Sequence, residues 1–180
     1  MRARIIKKYF SIIFAVILGS TLCLGTVLLL LSSQYYIANK KTAMTESFSV
    51  IEQETNRKLR MGFLGDNELQ RFYNQYSMVA KGDIFLADSE GRIVSSSVVG
   101  NKYSFGNVGK NSLQLFSEKP SYAFGNLDGL YDNDHHIIGE KINFGGENYY
   151  LFFCLPNYGQ SEYVNEIMTV FNLAAVIVMA

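Results

Sequence analysis

The side chains best suited to chemistry are few in this chain, and their spacing argues against catalysis. His135 and His136 are its only histidines. They are adjacent in a segment that reads as a strand, where successive side chains point to opposite faces, so they cannot hold one metal ion together. A structural or surface role is expected for each. Cys23 lies in a long apolar run and Cys154 in an apolar strand, so they are not expected to pair. No CxxC or Cys/His metal spacing occurs, which argues against zinc and thiol redox chemistry. Cys154 reads as a small buried hydrophobe. Serines are common, but no G-x-S-x-G is present. Asp128, Asp132, Asn133 and Asp134 have a calcium-like composition without EF-hand spacing, and turns favour these same residues. Gly100, Gly106 and Gly109 match neither a P-loop nor a dinucleotide fingerprint. No catalytic residue, metal site or cofactor is expected within the 180 residues.

The rest of the chain is organised around Ile12 to Leu31, twenty residues without a charge. As a helix that run is roughly 30 Å long, about the hydrocarbon thickness of a bilayer. Arg2, Arg4, Lys7 and Lys8 precede it, and the first charges after it are Lys40 and Lys41. The positive-inside rule puts the amino terminus in the cytoplasm and the following chain outside. Tyr9, Tyr35 and Tyr36 stand where interfacial aromatics are expected. The run is longer than a signal-peptide core, and Tyr36-Ile37-Ala38 is a poor cleavage site, so an uncleaved anchor is expected. Cys23 after Leu22 is a poor lipoprotein site.

The expected organisation is a cytoplasmic stretch at 1–8, a transmembrane helix at 9–33, an extracytoplasmic domain at 34–163, and the start of a second membrane helix at 164–180. Ile167 to Ala180 is uncharged and apolar apart from Thr169 and Asn172, but at about 20 Å too short to span. It reads as a spanning helix cut off by the end of the sequence. About 130 residues lie between the two runs, enough for one domain with a real core. Zero formal net charge argues against a nucleic-acid footprint.

Within the domain, Ile37, Met44, Phe48, Ile51, Thr55 and Leu59 recur at three- and four-residue steps, predicting a stalk helix over 34–61. Glu46, Glu52, Glu54, Arg57 and Lys58 fall off that stripe. The stripe has two readings, a meeting with its twin in a dimer or burial against the domain's own sheet. Gly62 to Gly65 breaks the helix, and Asn67 with Gln70 reads as a capping box for a second one. Its buried stripe is Leu69, Phe72, Tyr73, Tyr76 and Val79, and Lys81-Gly82 reads as its end, with the glycine at C′. The period then changes. Asp83–Ala87 and Arg92–Ser97 flank the turn Asp88–Gly91 and predict a β-hairpin. Lys110–Phe116 reads as a short helix. Three strands follow at Ser121–Leu127, His135–Phe144 and Glu147–Leu155. The last is apolar at both parities, Tyr149, Leu151, Phe153 and Leu155 against Tyr150, Phe152 and Cys154, which predicts a central position.

The segments Gly82–Ser97, Gly125–Ile142 and Tyr149–Pro156, in that order between two membrane runs, resemble the extracytoplasmic PAS-like (Cache-type) sensor region of bacterial membrane sensor histidine kinases. The resemblance covers about residues 10 to 180. It implies an α+β fold: a membrane-anchored PAS-like (single Cache) domain with a long N-terminal helix and a five-stranded antiparallel sheet. It implies a homodimer through the long helix, in the cell membrane, sensing a small-molecule or protein stimulus. The kinase domains of such a parent protein would lie beyond Ala180. A chemoreceptor, a membrane diguanylate cyclase or an anchored adhesion module are the alternatives. In PAS-like sensors the pocket lies between the sheet and the loops crossing it. Arg92, Tyr122, Tyr131, His136 and Lys141 carry suitable groups and are the ligand-binding candidates.

Overall fold

A computed structural model describes residues 2–64, 67–97, 106–117, 119–157, 165 and 168–170. The chain divides into two units, Met1–Asn39 with Tyr158–Ala180, and Lys40–Asn157. Helix α1 (Arg2–Arg60) begins in the first. There its large apolar side chains, among them Ile17, Leu22, Leu24 and Val27, are exposed, and the helix is long and apolar enough to cross a membrane. The hydroxyls of Ser20, Thr21 and Thr26 donate to the carbonyls of Ile17, Ile17 and Leu22 at 2.8, 2.8 and 2.9 Å. Each is thus satisfied inside the helix, as a lipid environment requires. Residues 168–170 are helical; most of the apolar run expected from Ile167 lies outside the described residues.

In the second unit α1 continues from Lys40. Met44, Phe48, Ile51, Thr55 and Leu59 are all buried. Their hydrophobic members pack with Ile84, Leu86, Ile138, Leu151 and Phe153 of the sheet. The stripe therefore covers its own sheet, the second of its two readings. Burying a Phe, Leu, Ile or Met contributes about 1.5–3 kcal/mol each. Thr55 alone is polar, and its Oγ1 lies 3.1 Å from the Tyr73 hydroxyl, a bond that ties α1 to the helix that follows it.

Helix α2 (Asn67–Ala80) buries Leu69, Tyr73 and Ser77, with Phe72 and Tyr76 half-buried beside them. Val79, expected in that stripe, is 83% exposed. It follows Ser77 by about 200° around the helix and so faces away from the sheet. Asn67, read as the cap, is already the first helical residue. The left-handed residue that ends α2 is Lys81, at φ 55°, not Gly82. Gly82 is held instead by close packing. A Cβ there would lie 2.7 Å from the Cys154 carbonyl oxygen, so only glycine lets the chain pass the strand that holds Cys154.

The strands are β1 (Asp83–Asp88), β2 (Ile93–Ser96), β3 (Ser121–Gly125), β4 (His135–Phe144) and β5 (Glu147–Pro156), with helix α3 (Lys110–Leu115) between β2 and β3. They form one antiparallel sheet in the order β2-β1-β5-β4-β3. β5 is central, as its double-sided apolar pattern requires. Leu151 and Phe153 join the helix-side core, while Phe152 and Cys154 join a second core with Phe85, Phe116, Leu127 and Tyr131. The β1–β2 turn has the expected residues. Asp88 Oδ1 accepts from the Glu90 and Arg92 amides at 2.9 Å each, and Gly91 takes φ 83°. A side chain at Gly91 would also strike the Val108 carbonyl. β3 stops at Gly125, short of the expected Leu127, because Leu127, Asp128 and Gly129 turn left-handed in succession.

Candidate functional site

The five candidate residues are divided over three places. Tyr122 and His136 meet on the helix face of the sheet. Tyr131 lies on the loop face, and Lys141 follows the parity of that face on β4. Arg92 sits on the exposed β1–β2 turn, where it pairs with Asp88 at 2.8 Å and Glu90 at 3.2 Å. Arg92 is thus held by local carboxylates rather than aimed at either sheet face. The two adjacent histidines do face opposite ways, as strand geometry demands.

On the helix face, His136 is 2% exposed. Its Nδ1 lies 2.5 Å from the Tyr122 hydroxyl and its Nε2 3.1 Å from Asn157 Oδ1. Phe124 packs on the imidazole with ring centres 5.0 Å apart, and Lys41 stands 5.4 Å over the Tyr122 ring. Lys40 donates to the Pro156 carbonyl at 3.3 Å. Burial pushes the His136 pKa below its ordinary value; Lys40 adds to this, and the Asn157 bond opposes it. Burial likewise lowers Lys40. Further along the same face of β4, Glu140 is pushed up by burial and then by Glu52 across on α1. Its Oε2 is buried and has no hydrogen-bond partner among the described residues.

On the loop face, Tyr131 is buried and stacks on His135, centres 3.8 Å apart. Its hydroxyl donates to Asp83 Oδ2 at 3.3 Å. Burial raises the Asp83 pKa, against the pull of the Tyr131 bond and of His135. Burial also raises the Cys154 thiol, so this sulfur is an inert packing group. The middle of this face is filled by aromatic rings. Phe85 and Phe152 stack at 5.1 Å, and Phe116 meets Phe152 edge-on at 5.3 Å.

Sequence reasoning missed Lys40, Phe124 and Asn157 beside His136, and Asp83 beside Tyr131. Lys40 and Asn157 stand at opposite ends of the domain sequence, so no local spacing links them. Phe124 carried a signal, since it is two residues from Tyr122 and so shares its face of β3.

No family model and no curated protein matches the sequence. Among solved structures, the ligand-binding domain of the Campylobacter jejuni chemoreceptor Tlp3, in complex with 4-methylisoleucine, is similar with a TM-score of 0.53 at 12% identity. The match covers 81% of this chain and 62% of that one, so the chain spans less than two thirds of its length. The sensor domain of the Vibrio cholerae histidine kinase DctB matches with a TM-score of 0.45 at 12% identity, over 73% of this chain and 60% of that one. The periplasmic domain of Vibrio cholerae LuxQ matches with a TM-score of 0.30 at 14% identity, over 56% and 51%. The α1-plus-five-stranded-sheet architecture is therefore a fold shared with the Tlp3 ligand-binding domain.

Proposed function

We propose that this chain is the extracytoplasmic sensing and transmembrane signalling portion of a bacterial membrane receptor, with the amino terminus inside and residues 34–163 outside. The observation that supports it most is the joining, in one chain, of an apolar membrane-length helix to a sheet domain with the fold of a chemoreceptor ligand-binding domain. A histidine kinase is our first reading of the output, as the sequence resemblance implies. A chemoreceptor is the second, favoured by the likeness to Tlp3. The functional unit in this reading is a homodimer. Because the α1 stripe packs on its own sheet, the dimer in this reading uses the outer side of α1, which carries Ser49, Gln53, Arg57 and Arg60. A stimulus acts by favouring one helix arrangement over another.

Two experiments test this. Reading the coding sequence past Ala180 separates the outputs: a His-bearing dimerisation helix with an ATPase domain for a kinase, a long coiled coil for a chemoreceptor. Single cysteines introduced by Ser89→Cys or Asn133→Cys, in a chain with Cys23 and Cys154 replaced, are expected to react with an impermeant thiol reagent on intact cells. Labelling only after lysis would overturn the topology.

A further inference from the structure

The corner around His136 ties the two ends of the Lys40–Asn157 unit together. Lys40 is its first residue, Asn157 its last, and Lys40 holds the Pro156 carbonyl. His136 bonds Asn157 from within the sheet. The bond directions are fixed by the partners. Asn157 Oδ1 can only accept, so His136 Nε2 carries the proton; the neutral ring then offers Nδ1 as acceptor, and the Tyr122 hydroxyl donates to it.

We propose that this corner is a proton-operated latch, in which protonation of His136 loosens the tie between Lys40 and Pro156–Asn157. A proton added at Nδ1 meets the hydrogen of the Tyr122 hydroxyl, which must turn round to accept. The new charge is buried and faces cations from the neighbouring elements. Lys40 approaches from α1, Lys41 lies over Tyr122, and His135 follows on β4 with its ring on the other face. From β3 come only Tyr122 and the ring of Phe124, and from the end of β5 only the neutral Asn157. No carboxylate among the described residues acts on His136 to offset the charge. The relief is withdrawal of Lys40 from His136, which breaks the Lys40–Pro156 bond while Nε2, still protonated, keeps its bond to Asn157. The latch stands whichever output the receptor carries, and it makes external acidity an input to the domain.

The sign follows from burial. His136 is depressed in the folded state, so its contribution is fully present above its unfolded value of 6.5 and is lost as pH falls from there towards its folded value. The test uses the full chain in lipid nanodiscs. Imidazole ¹⁵N resonances, assigned with His135→Asn, are expected to show the Nε2-H tautomer of His136 and a midpoint below 6.5. Amide exchange at Leu155 and Asn157, corrected for intrinsic rate, is expected to speed up on acidification by as much as about tenfold per pH unit, the one-proton limit. His136→Gln keeps a donor for Asn157 and cannot titrate here, so its corrected exchange is expected to be flat. Lys40→Met is expected to move the His136 midpoint up. A His136 midpoint at or above 6.5, an Nδ1-H tautomer, or the same acid response in His136→Gln as in the unaltered chain would overturn the latch. Should His136→Gln fail to fold, the imidazole titration of the unaltered histidine decides alone.

Discussion

The two faces of the sheet are built by different means. The helix face is covered by two regular elements whose buried residues come at helical spacing: Met44, Phe48, Ile51 and Leu59 from α1, Leu69 and Tyr73 from α2. The loop face is covered by α3 and the turns on either side of β3. Its buried residues, Val108, Leu113, Phe116, Leu127 and Tyr131, follow no common period. Its core holds a ring cluster over Gly139, where a Cβ would lie 2.8 Å from Phe152 and 3.0 Å from Phe116. The helix face is thus covered by regular elements, with its polar corner at His136 at one end. The loop face is assembled from segments with few regular backbone bonds, the kind of structure that rearranges at low cost.

The largest effects test whether both faces are true core. Phe152 and Phe153 are neighbours in β5, 0% and 1% exposed, and point into the loop-face and helix-face cores respectively. Truncating either to Ala is expected to cost about 3–5 kcal/mol in unfolding of the full chain, the usual range for a buried Phe. Equal losses sharpen the view that both faces are packed. A loss under about 1 kcal/mol at Phe152, with a full loss at Phe153, would show a loop face that collapses around the gap, and would mean that only the helix face is a true core.

The same contrast explains what could be read from the sequence. β5 was legible because apolar residues at both parities admit only a central strand, and the α1 stripe because its spacing is helical. The stripe's partner was not legible. Met44 to Leu59 would suit a twin as well as a sheet, and burial against Ile84, Leu86 and Phe153 decides it through contacts far apart in sequence. Val79 misled because it is apolar at the end of a helix whose inward positions there are Ser77 and Ala80. The five candidate ligand residues were chosen by chemical type. Which face each meets depends on strand parity, known for Tyr122 and His136, and on the left-handed turn at Leu127–Gly129 that precedes Tyr131, which no spacing reveals. Asp128 shows the same limit: its carboxylate reaches back to the Ser112 amide at 3.0 Å, serving a helix sixteen residues earlier.

A middle-sized effect probes the polar tie inside the helix face. Thr55 and Tyr73 are both buried, and burial pushes the Tyr73 hydroxyl pKa well up, so it stays a neutral hydrogen-bonding group. Tyr73→Phe or Thr55→Val alone leaves one buried hydroxyl unpaired, expected to cost about 1–3 kcal/mol. The double variant is expected to be less destabilised than the sum of the two singles, because no orphan remains. Strict additivity in a thermal-unfolding cycle would mean that the bond does not couple α1 to α2.

The smallest effect distinguishes the two faces by pH. Asp83 on the loop face has its pKa raised by burial, so its contribution is fully present below the unfolded value of 3.8 and is lost as pH rises through its folded value. His136 on the helix face runs the other way, its contribution lost as pH falls below 6.5. On acidification from neutrality the helix face therefore weakens while the loop face tightens. Asp83→Asn removes the loop-face half of this opposition. The amide oxygen still accepts from Tyr131, and no charge is left to bury, so stability at pH 7 is expected to be unchanged or to rise by less than about 1 kcal/mol. As pH falls through the folded value of Asp83 towards 3.8, the variant is expected to lose stability more steeply than the unaltered chain, because the gain from protonating Asp83 no longer offsets the His136 loss. Unfolding midpoints of the two chains measured from pH 7.5 to 4 check this. Parallel curves would show that Asp83 does not titrate against its burial. A large loss at pH 7 would show that its carboxylate is needed in the charged form, and the two faces would then respond to acid in the same direction.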